Sequence, residues 1–198
     1  MDWVVAATKL FSEFNRAVVD DPRLDLVMED ATAYMGLTQE RFDVIVSQPS
    51  NPWVAGNASL FTYEFFDLLR RRLAPGGLMV QVQWFHDYEM TDDAVRTILN
   101  TFAAVFPHTR LFHCGDGRDY VIIGTEEPLE PDLQRMKTLL ANNEKVRTDL
   151  KRYLGIRSPV GVLVRNVLDD AGVRAAGAGV RLHRDHRPIL DFQAPPSP

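Results

Sequence analysis

The apolar positions of the chain follow two spacings, one typical of amphipathic helices and the other of buried strands. Helical spacing predicts helices over Trp3–Val19, over Phe61–Leu73 and after Thr91, whose hydroxyl can cap the third helix. Short apolar runs predict five strands, at Leu24–Met28, Phe42–Ser47, Leu78–Gln83, Thr109–Cys114 and Tyr120–Thr125. Helices that alternate with apolar strands indicate an α/β sheet covered on both faces.

After Pro128 the alternation of apolar strands and helices gives way to charged, helical segments. Residues 133–154 are charged and helical, residues 159–171 predict another helix, and residues 172–179 are small and loosely patterned. The turn at 115–117 indicates a hairpin, so we expect a mostly parallel sheet with an antiparallel last strand. The sequence therefore predicts a Rossmann-like domain over residues 1–127 and a helical C-terminal extension with a tail over residues 128–198.

Composition narrows the classes of partner. Of the 198 residues, 45% are hydrophobic, which is enough for a core, and the formal net charge of −5 disfavours nucleic-acid binding. Cys114 is the single cysteine, so no intramolecular disulfide can form and a reducing, cytoplasmic location is expected. Apolar runs fall short of the roughly 20 residues that a membrane helix needs, so we expect no membrane contact by this chain itself.

Candidate chemistry collects where the predicted strands end. Polar residues follow three strands, at 29–31, at 47–53 and at 83–87. Ligands of open α/β sheets bind at the carboxyl ends of the strands, so these clusters are expected to converge on one edge. Strand ends are commonly polar, which is the alternative for each cluster alone. A proline-flanked polar loop with Trp53 is an unusual way merely to end a strand.

Several segments together resemble the spermidine synthase family. Residues 42–52 resemble its strand and aspartate-containing loop, residues 21–31 its Asp-Pro-Arg to Asp-Ala segment, and residues 60–77 its next helix and turn. Residues 50–56 and the tail at 187–192 are most similar to the spermidine-synthase-like domains that some bacteria fuse to membrane segments, and membrane attachment of the parent protein stays open. The resemblance covers most of residues 3–125, and its motifs are specific only as a set.

The resemblance implies a class I S-adenosylmethionine-methyltransferase-type fold and an aminopropyltransferase. It implies decarboxylated S-adenosylmethionine as co-substrate, a small-molecule amine such as putrescine as acceptor, and no metal. Asp30 then matches the carboxylate that holds the adenine amino group, with Ala31, Ser47 and Pro49 also at the nucleoside. A carboxylate is a sensible acceptor for an exocyclic N–H, although Asp30 is equally suited to cap a helix.

The resemblance breaks down in the loop after the second predicted strand. Gln48 and Asn51 occupy the positions of the family's two loop aspartates, the first of which serves as base or charge partner. An amide can position an amine through hydrogen bonds, but it can neither take its proton nor attract a dication by charge. Asp87 or Glu89, after the third strand, is a possible substitute, though both are also ordinary loop acids.

The family's glycine-rich loop and its ribose-binding acid have no counterpart in the sequence, which starts at the helix that follows them. The sheet is therefore expected to lack its first strands, as in a fragment, a mispredicted start or a degenerate homologue. Two further functions stay open: an S-adenosylmethionine-dependent methyltransferase, favoured weakly by the Asn51-Pro52-Trp53 loop, and a non-catalytic protein that binds a nucleoside or a partner. An exposed strand edge would also favour a homodimer.

Overall fold

The computed structural model describes residues 2–53, 56–83, 90–114 and 119–193. Backbone contacts divide the chain into an N-terminal unit, residues 1–38, and a C-terminal unit, residues 39–198. The domain boundary predicted from the sequence, between residues 127 and 128, stays a prediction. Each unit is described by itself.

The single long helix predicted over Trp3–Val19 is wrong, because this part of the N-terminal unit forms several shorter helical elements. The helical elements of this unit are α1 (Asp2–Thr8), a 3-10 turn (Lys9–Phe11), α2 (Ser12–Asn15), a 3-10 turn (Val18–Asp20) and α3 (Ala31–Leu37). The break has a local cause in Asn15, whose side-chain amide donates to the carbonyl of Thr8 at 2.7 Å and whose Oδ1 accepts from the amide of Ala17 at 2.9 Å. These bonds compete with helical backbone bonds, and Arg16 and Ala17 take left-handed conformations with φ of 58° and 51°.

The strand predicted at Leu24–Met28 is not formed. The amide of Leu24 instead donates to the carbonyl of Asp21 at 2.9 Å, and the Asp21 carboxylate accepts from the backbone amide and guanidinium of Arg23. A strand exists only when a neighbouring strand pairs with it, and residues 2–38 contain none. The apolar pattern was correct for a strand, but the pairing it requires is absent within this unit.

The C-terminal unit contains the sheet and the strands predicted from residue 42 onward. Its described elements are β1 (Phe42–Ser47), a 3-10 turn (Ala58–Phe61), α4 (Tyr63–Arg71), β2 (Leu73–Gln83), α5 (Asp92–Val105), β3 (His108–Cys114), β4 (Asp119–Thr125), α6 (Leu133–Asn142), α7 (Glu144–Leu154), α8 (Pro159–Leu163), β5 (Asn166–Leu168), α9 (Asp170–Gly177) and a 3-10 turn (Leu190–Phe192). Thr91 caps α5 as predicted, since its hydroxyl accepts from the amide of Ala94 at 3.2 Å.

The helix predicted over residues 159–171 is corrected to two helices separated by β5. Asn166 explains the interruption, because its side-chain amide donates to the carbonyls of Leu111 and Leu168 and thereby fixes an extended segment against β3. Asp169 then begins α9 by accepting a hydrogen bond from the amide of Gly172 at 2.9 Å. The region predicted to be loose after residue 172 is largely this helix.

The sheet confirms the α/β class, while its pairing differs from the mostly parallel arrangement expected. The five described strands lie in the order β1-β2-β4-β3-β5. β1 and β2 are parallel, whereas β2 with β4, β3 with β4 and β3 with β5 are antiparallel. The predicted β3–β4 hairpin is confirmed; it forces β4 antiparallel and places it beside β2, so antiparallel pairs outnumber the parallel pair.

Three helices pack together beside the sheet and form the main core. Phe102 of α5 lies between Phe66 of α4, with ring centroids 5.0 Å apart, and Phe106, at 4.6 Å. Gly124 of β4 leaves room for these rings, since a Cβ there would lie 2.5 Å from Cγ of Phe106. A Cβ on Gly177 of α9 would lie 2.8 Å from the backbone nitrogen of Asn100, so α9 packs directly on α5.

A bulge in β2 sets the register of the parallel pair. Phe42 pairs with Leu73, but the next pair joins Val44 to Leu78, so β2 accommodates extra residues at the predicted Pro-Gly-Gly turn. Gly76 has a φ of +75°, and a Cβ on Gly77 would lie 2.9 Å from the carbonyl oxygen of Phe42. The two glycines therefore permit the register that follows.

Candidate functional site

The loop after β1 is held in a defined conformation by Asn57. The side-chain amide of Asn57 donates to the Ser50 hydroxyl at 2.9 Å and to the carbonyl oxygen of Asn51 at 3.3 Å. Pro52 is buried and Gln48 is exposed. Residues 47–53 thus form a structured loop that leaves the Gln48 side chain accessible at the carboxyl end of β1.

Gln81 of β2 lies beside this loop and was missed by the sequence analysis. It is the register partner of Ser47 in the parallel pair and is fully buried, with 0% of its surface exposed. Its Nε2 donates to the carbonyl of Val82 at a long 3.4 Å, and its Oε1 has no hydrogen-bond partner among the described residues. A buried amide oxygen without a donor costs roughly 1–3 kcal/mol.

Asn51, like Gln81, has a buried side-chain oxygen, Oδ1, that lacks a hydrogen-bond donor among the described residues. Two amide oxygens at the end of the β1–β2 pair can therefore each accept an N–H.

Asp30 caps a helix in the N-terminal unit. Its Oδ1 accepts from the backbone amide of Ala33 at 2.9 Å, and Ala31 is the first residue of α3. The capping alternative given by the sequence is therefore confirmed. The predicted role of Asp30 and Ala31 at an adenine stays a prediction.

The structure brings together some of the predicted site residues. Ser47, Gln48, Pro49 and Asn51 lie on one strand end and loop of the C-terminal unit, whereas residues 30 and 31 belong to the other unit. Asp87 and Glu89 lie outside the described residues. The convergence of three strand-end clusters on one edge accordingly stays a prediction.

Two side chains elsewhere in the C-terminal unit, one fully buried and one partly buried, have shifted pKa values. Burial lowers the pKa of His183, whose ring is enclosed in the C-terminal core. Burial, followed by the charge of Asp119, raises the pKa of the Cys114 thiol and makes it a poor nucleophile at neutral pH. Among the described residues, no group of His, Cys, Asp and Glu side chains is placed to hold a metal ion.

None of the helices within the described ranges has both the length and the apolar character needed to cross a bilayer.

Comparison with solved structures defines the class of fold. The C-terminal sheet and its helices belong to a protein that superimposes on spermidine synthase from Thermotoga maritima with a TM-score of 0.62 at 19% identity, over 88% of this chain and 56% of that chain. A probable spermidine synthase from Corynebacterium glutamicum gives a TM-score of 0.53 at 21% identity, over 93% of this chain and 62% of that chain. The fold is the methyltransferase-like α/β fold of these enzymes.

Sequence comparison gives the family. The profile of the spermine/spermidine synthase domain matches residues 3–114, so the chain belongs to the spermine/spermidine synthase family. A polyamine aminopropyltransferase from Synechococcus is 31% identical over 132 residues, which are 65% of this chain and 42% of that protein. Polyamine aminopropyltransferase 1 from Pseudomonas aeruginosa is 41% identical over 66 residues, which are 33% of this chain and 23% of that protein. The chain thus spans less than half the length of these curated relatives.

Proposed function

We propose that the protein containing this chain transfers the aminopropyl group of decarboxylated S-adenosylmethionine to a small amine, and that the Ser47–Asn51 loop with Gln81 binds the acceptor. The observations that support the proposal are two buried amide oxygens without a hydrogen-bond partner among the described residues, Asn51 Oδ1 in the loop after β1 and Gln81 Oε1 on β2 opposite Ser47. Family membership supports the type of reaction.

The reaction sets two tasks for the side chains of this site. The lone pair of the acceptor nitrogen forms a bond to the aminopropyl carbon as the carbon–sulfur bond of the sulfonium breaks. The bonding electrons go to sulfur, which leaves as neutral 5′-methylthioadenosine, and the new ammonium releases a proton. The protein must therefore orient the nitrogen, which amide oxygens can do, and provide a route for the proton.

The loop after β1 has no carboxylate at position 48 to take the proton released by the new ammonium. Gln48 is exposed at the loop and, as an amide, cannot accept the proton. We propose Asp87, which follows β2 along the chain, as the carboxylate of the site, with Gln48 and Asn51 as positioning groups. Without Asp87 as the base, transfer would be slow, since general-base catalysis typically contributes about 10²–10⁴-fold.

The nucleoside side of the proposal rests on the residues that resemble the family's motif, each taken within its own unit. In the N-terminal unit, we propose that Asp30 accepts from the adenine amino group, with Ala31 beside it. In the C-terminal unit, we propose Ser47 and Pro49, at the end of β1, as nucleoside contacts. The carboxylate of Asp30 suits this role because it accepts N–H donors, as it already does at the start of α3. S-adenosylmethionine carries the same adenine amino group, so the same contact would serve if the reaction were methyl transfer.

Calorimetric titration with 5′-methylthioadenosine tests the proposal, because this product should bind wherever the co-substrate binds. Micromolar binding, followed by detection of a new polyamine when putrescine and decarboxylated S-adenosylmethionine are supplied, is the expected result. Tighter binding of S-adenosylhomocysteine with methyl transfer would establish the methyltransferase alternative. Binding without any transfer would establish a non-catalytic nucleoside-binding protein, and no heat from a folded sample would refute a nucleoside site in this chain.

A homodimer is a further part of the proposal and has a candidate surface. β1 is an edge strand of the described sheet, and Val44 and Val46 are 52% and 58% exposed. An unprotected apolar edge favours pairing with another strand, and an antiparallel pair centred on Ile45 would set Val44 opposite Val46 of a second copy. Sedimentation equilibrium of the parent and of Val46→Lys tests this, and equal dimer fractions would refute pairing at this edge.

A further inference from the structure

The acidic total charge conceals a basic helical hairpin, formed by α6 and α7 and the residues after them to Arg157. Residues 133–157 contain seven Lys and Arg residues but only Glu144 and Asp149 as acids, a local net charge of +5 in a chain of net charge −5. The rest of the chain is correspondingly more acidic. The net charge of −5 for the whole chain therefore does not describe this segment.

Basic side chains of the hairpin line a common groove. The groove has a volume of about 440 Å³ and is lined by Glu144, Arg147, Thr148, Lys151 and Arg157. Arg147 is fixed at its wall, because its guanidinium donates to the carbonyl oxygens of Leu140 and Ala141 at 2.9 and 3.1 Å. Three cations against one carboxylate make the groove attractive to a phosphate-type anion.

Apolar side chains lie exposed on the same hairpin. Neither α6 nor α7 buries a residue. Leu139 and Tyr153 are 58% and 63% exposed, and Val146 is also exposed. On α7, Val146, Leu150 and Tyr153 fall at helical spacing on one stripe, and the basic residues Lys145, Arg147, Lys151 and Arg152 flank it on both sides.

We propose that the α6–α7 hairpin is a peripheral docking surface for an anionic lipid membrane, with the groove receiving a lipid phosphate. Clusters of four to eight basic residues on an amphipathic helix are the pattern that anionic lipid surfaces attract. Exposed aliphatic and aromatic side chains gain from entering the headgroup boundary, whereas a nucleic-acid backbone offers Leu139 and Val146 no apolar partner. The proposal is independent of the aminopropyl-transfer site, and it departs from the expectation, drawn from the short apolar runs, that this chain makes no membrane contact.

The test is co-sedimentation with vesicles of phosphatidylcholine alone or of phosphatidylcholine with about 30% phosphatidylglycerol. Binding is expected only with the anionic lipid, and raising the salt from 0.1 to 0.5 M should weaken it because the attraction is screened. Lys151→Glu with Arg157→Glu should weaken binding at least tenfold. The matched control, Arg181→Glu with Arg187→Glu, makes the same charge change on exposed residues outside the hairpin and should bind as the parent does.

Two checks keep the result interpretable. Thermal unfolding followed by circular dichroism should give the same midpoint for both double variants, and Tyr153→Ser should weaken vesicle binding even at 0.5 M salt. Absence of binding to anionic vesicles, or equal losses in the two double variants, would overturn the proposal. So would binding to a short DNA duplex that is tighter than binding to the vesicles, which would make the surface a nucleic-acid site.

Discussion

The imidazole of His183 joins two distant parts of the C-terminal unit: its Nε2 lies 2.8 Å from the carbonyl oxygen of Ala58, 125 residues earlier, and its Nδ1 lies 2.9 Å from the amide nitrogen of Ile189. The amide of Ile189 donates, so Nδ1 must be an acceptor and Nε2 must carry the hydrogen donated to Ala58. The ring is therefore neutral, and it is completely buried.

Acid should destabilise the C-terminal unit through this histidine. Burial lowers the pKa of His183 below its ordinary 6.5, so the unfolded chain binds more protons than the native one between the two values. The stability it contributes is complete above pH 6.5 and is lost as pH falls toward the native pKa, with a limiting slope of about 1.4 kcal/mol per pH unit. Urea unfolding between pH 8 and pH 5 measures this loss. His183→Gln should remove this component of the slope, and an unchanged slope would refute the assignment.

Restoring a carboxylate to the loop should accelerate transfer. Gln48→Asp places a base and a negative charge at an exposed position of the loop, and we expect the rate of aminopropyl transfer to putrescine to rise about a hundredfold. Ser50→Asp is the matched control, because it adds the same charge to a neighbouring exposed residue of the loop. If both variants are equally fast, the gain is electrostatic attraction alone, and Gln48 does not occupy the position of the base.

Two substitutions separate the capping role of Asp30 from its proposed contact with adenine. Asp30→Ala removes the hydrogen bond to the amide of Ala33 and should cost α3 about 1 kcal/mol, whereas Asp30→Ser retains a capping oxygen. Both variants lose the carboxylate and should lose affinity for 5′-methylthioadenosine in calorimetry, while only the alanine variant should lose helical circular dichroism. Full affinity in Asp30→Ser would remove Asp30 from the nucleoside site.

Gly124 should not tolerate even a methyl group. A Cβ at this position would lie 2.5 Å from Phe106 and 2.7 Å from Phe102, and these rings are fully buried and cannot move aside cheaply. Gly124→Ala should therefore lower the free energy of unfolding by about 1–3 kcal/mol. Gly36→Ala is the comparison, since a Cβ there meets nothing within 4 Å, and it should be neutral or slightly stabilising. Similar destabilisation by both would contradict the packing argument.

The sequence correctly predicted strands β1 to β4 of the C-terminal unit, each of which has a pairing strand in the same unit. Residues 42–47 carry a β-branched run, and they form β1 because β2 is there to pair with it. The cap at Thr91 and the β3–β4 hairpin were also predictable, since each depends on residues close together in the chain. The loop of Gln48 and Asn51 was found because polar residues directly follow the apolar run of β1.

The missed features depend on contacts that are distant in sequence. Residues 24–28 have the apolar pattern of a strand, but no strand in the described part of their unit pairs with them. The local sequence contains no information about whether such a pairing strand is present. Gln81 was counted only as part of an apolar run, although an amide between Val80 and Val82 is the kind of signal that could have identified it. The basic hairpin was hidden because its charge cancels in the total for the chain.

The long-range contacts of the C-terminal unit also constrain when it can fold during synthesis. β5 pairs with β3 at the edge of the sheet, and α9 packs on α5. His183 then bonds to two earlier segments: its ring to the carbonyl of Ala58 and its backbone amide to the hydroxyl of Thr101. The ribosome makes these segments after the strands and helices of the same unit on which they pack. The unit is therefore expected to remain open, with its phenylalanine cluster accessible to chaperones, until the segment around Leu190 has emerged, so pauses in translation before that point should promote aggregation rather than stepwise folding.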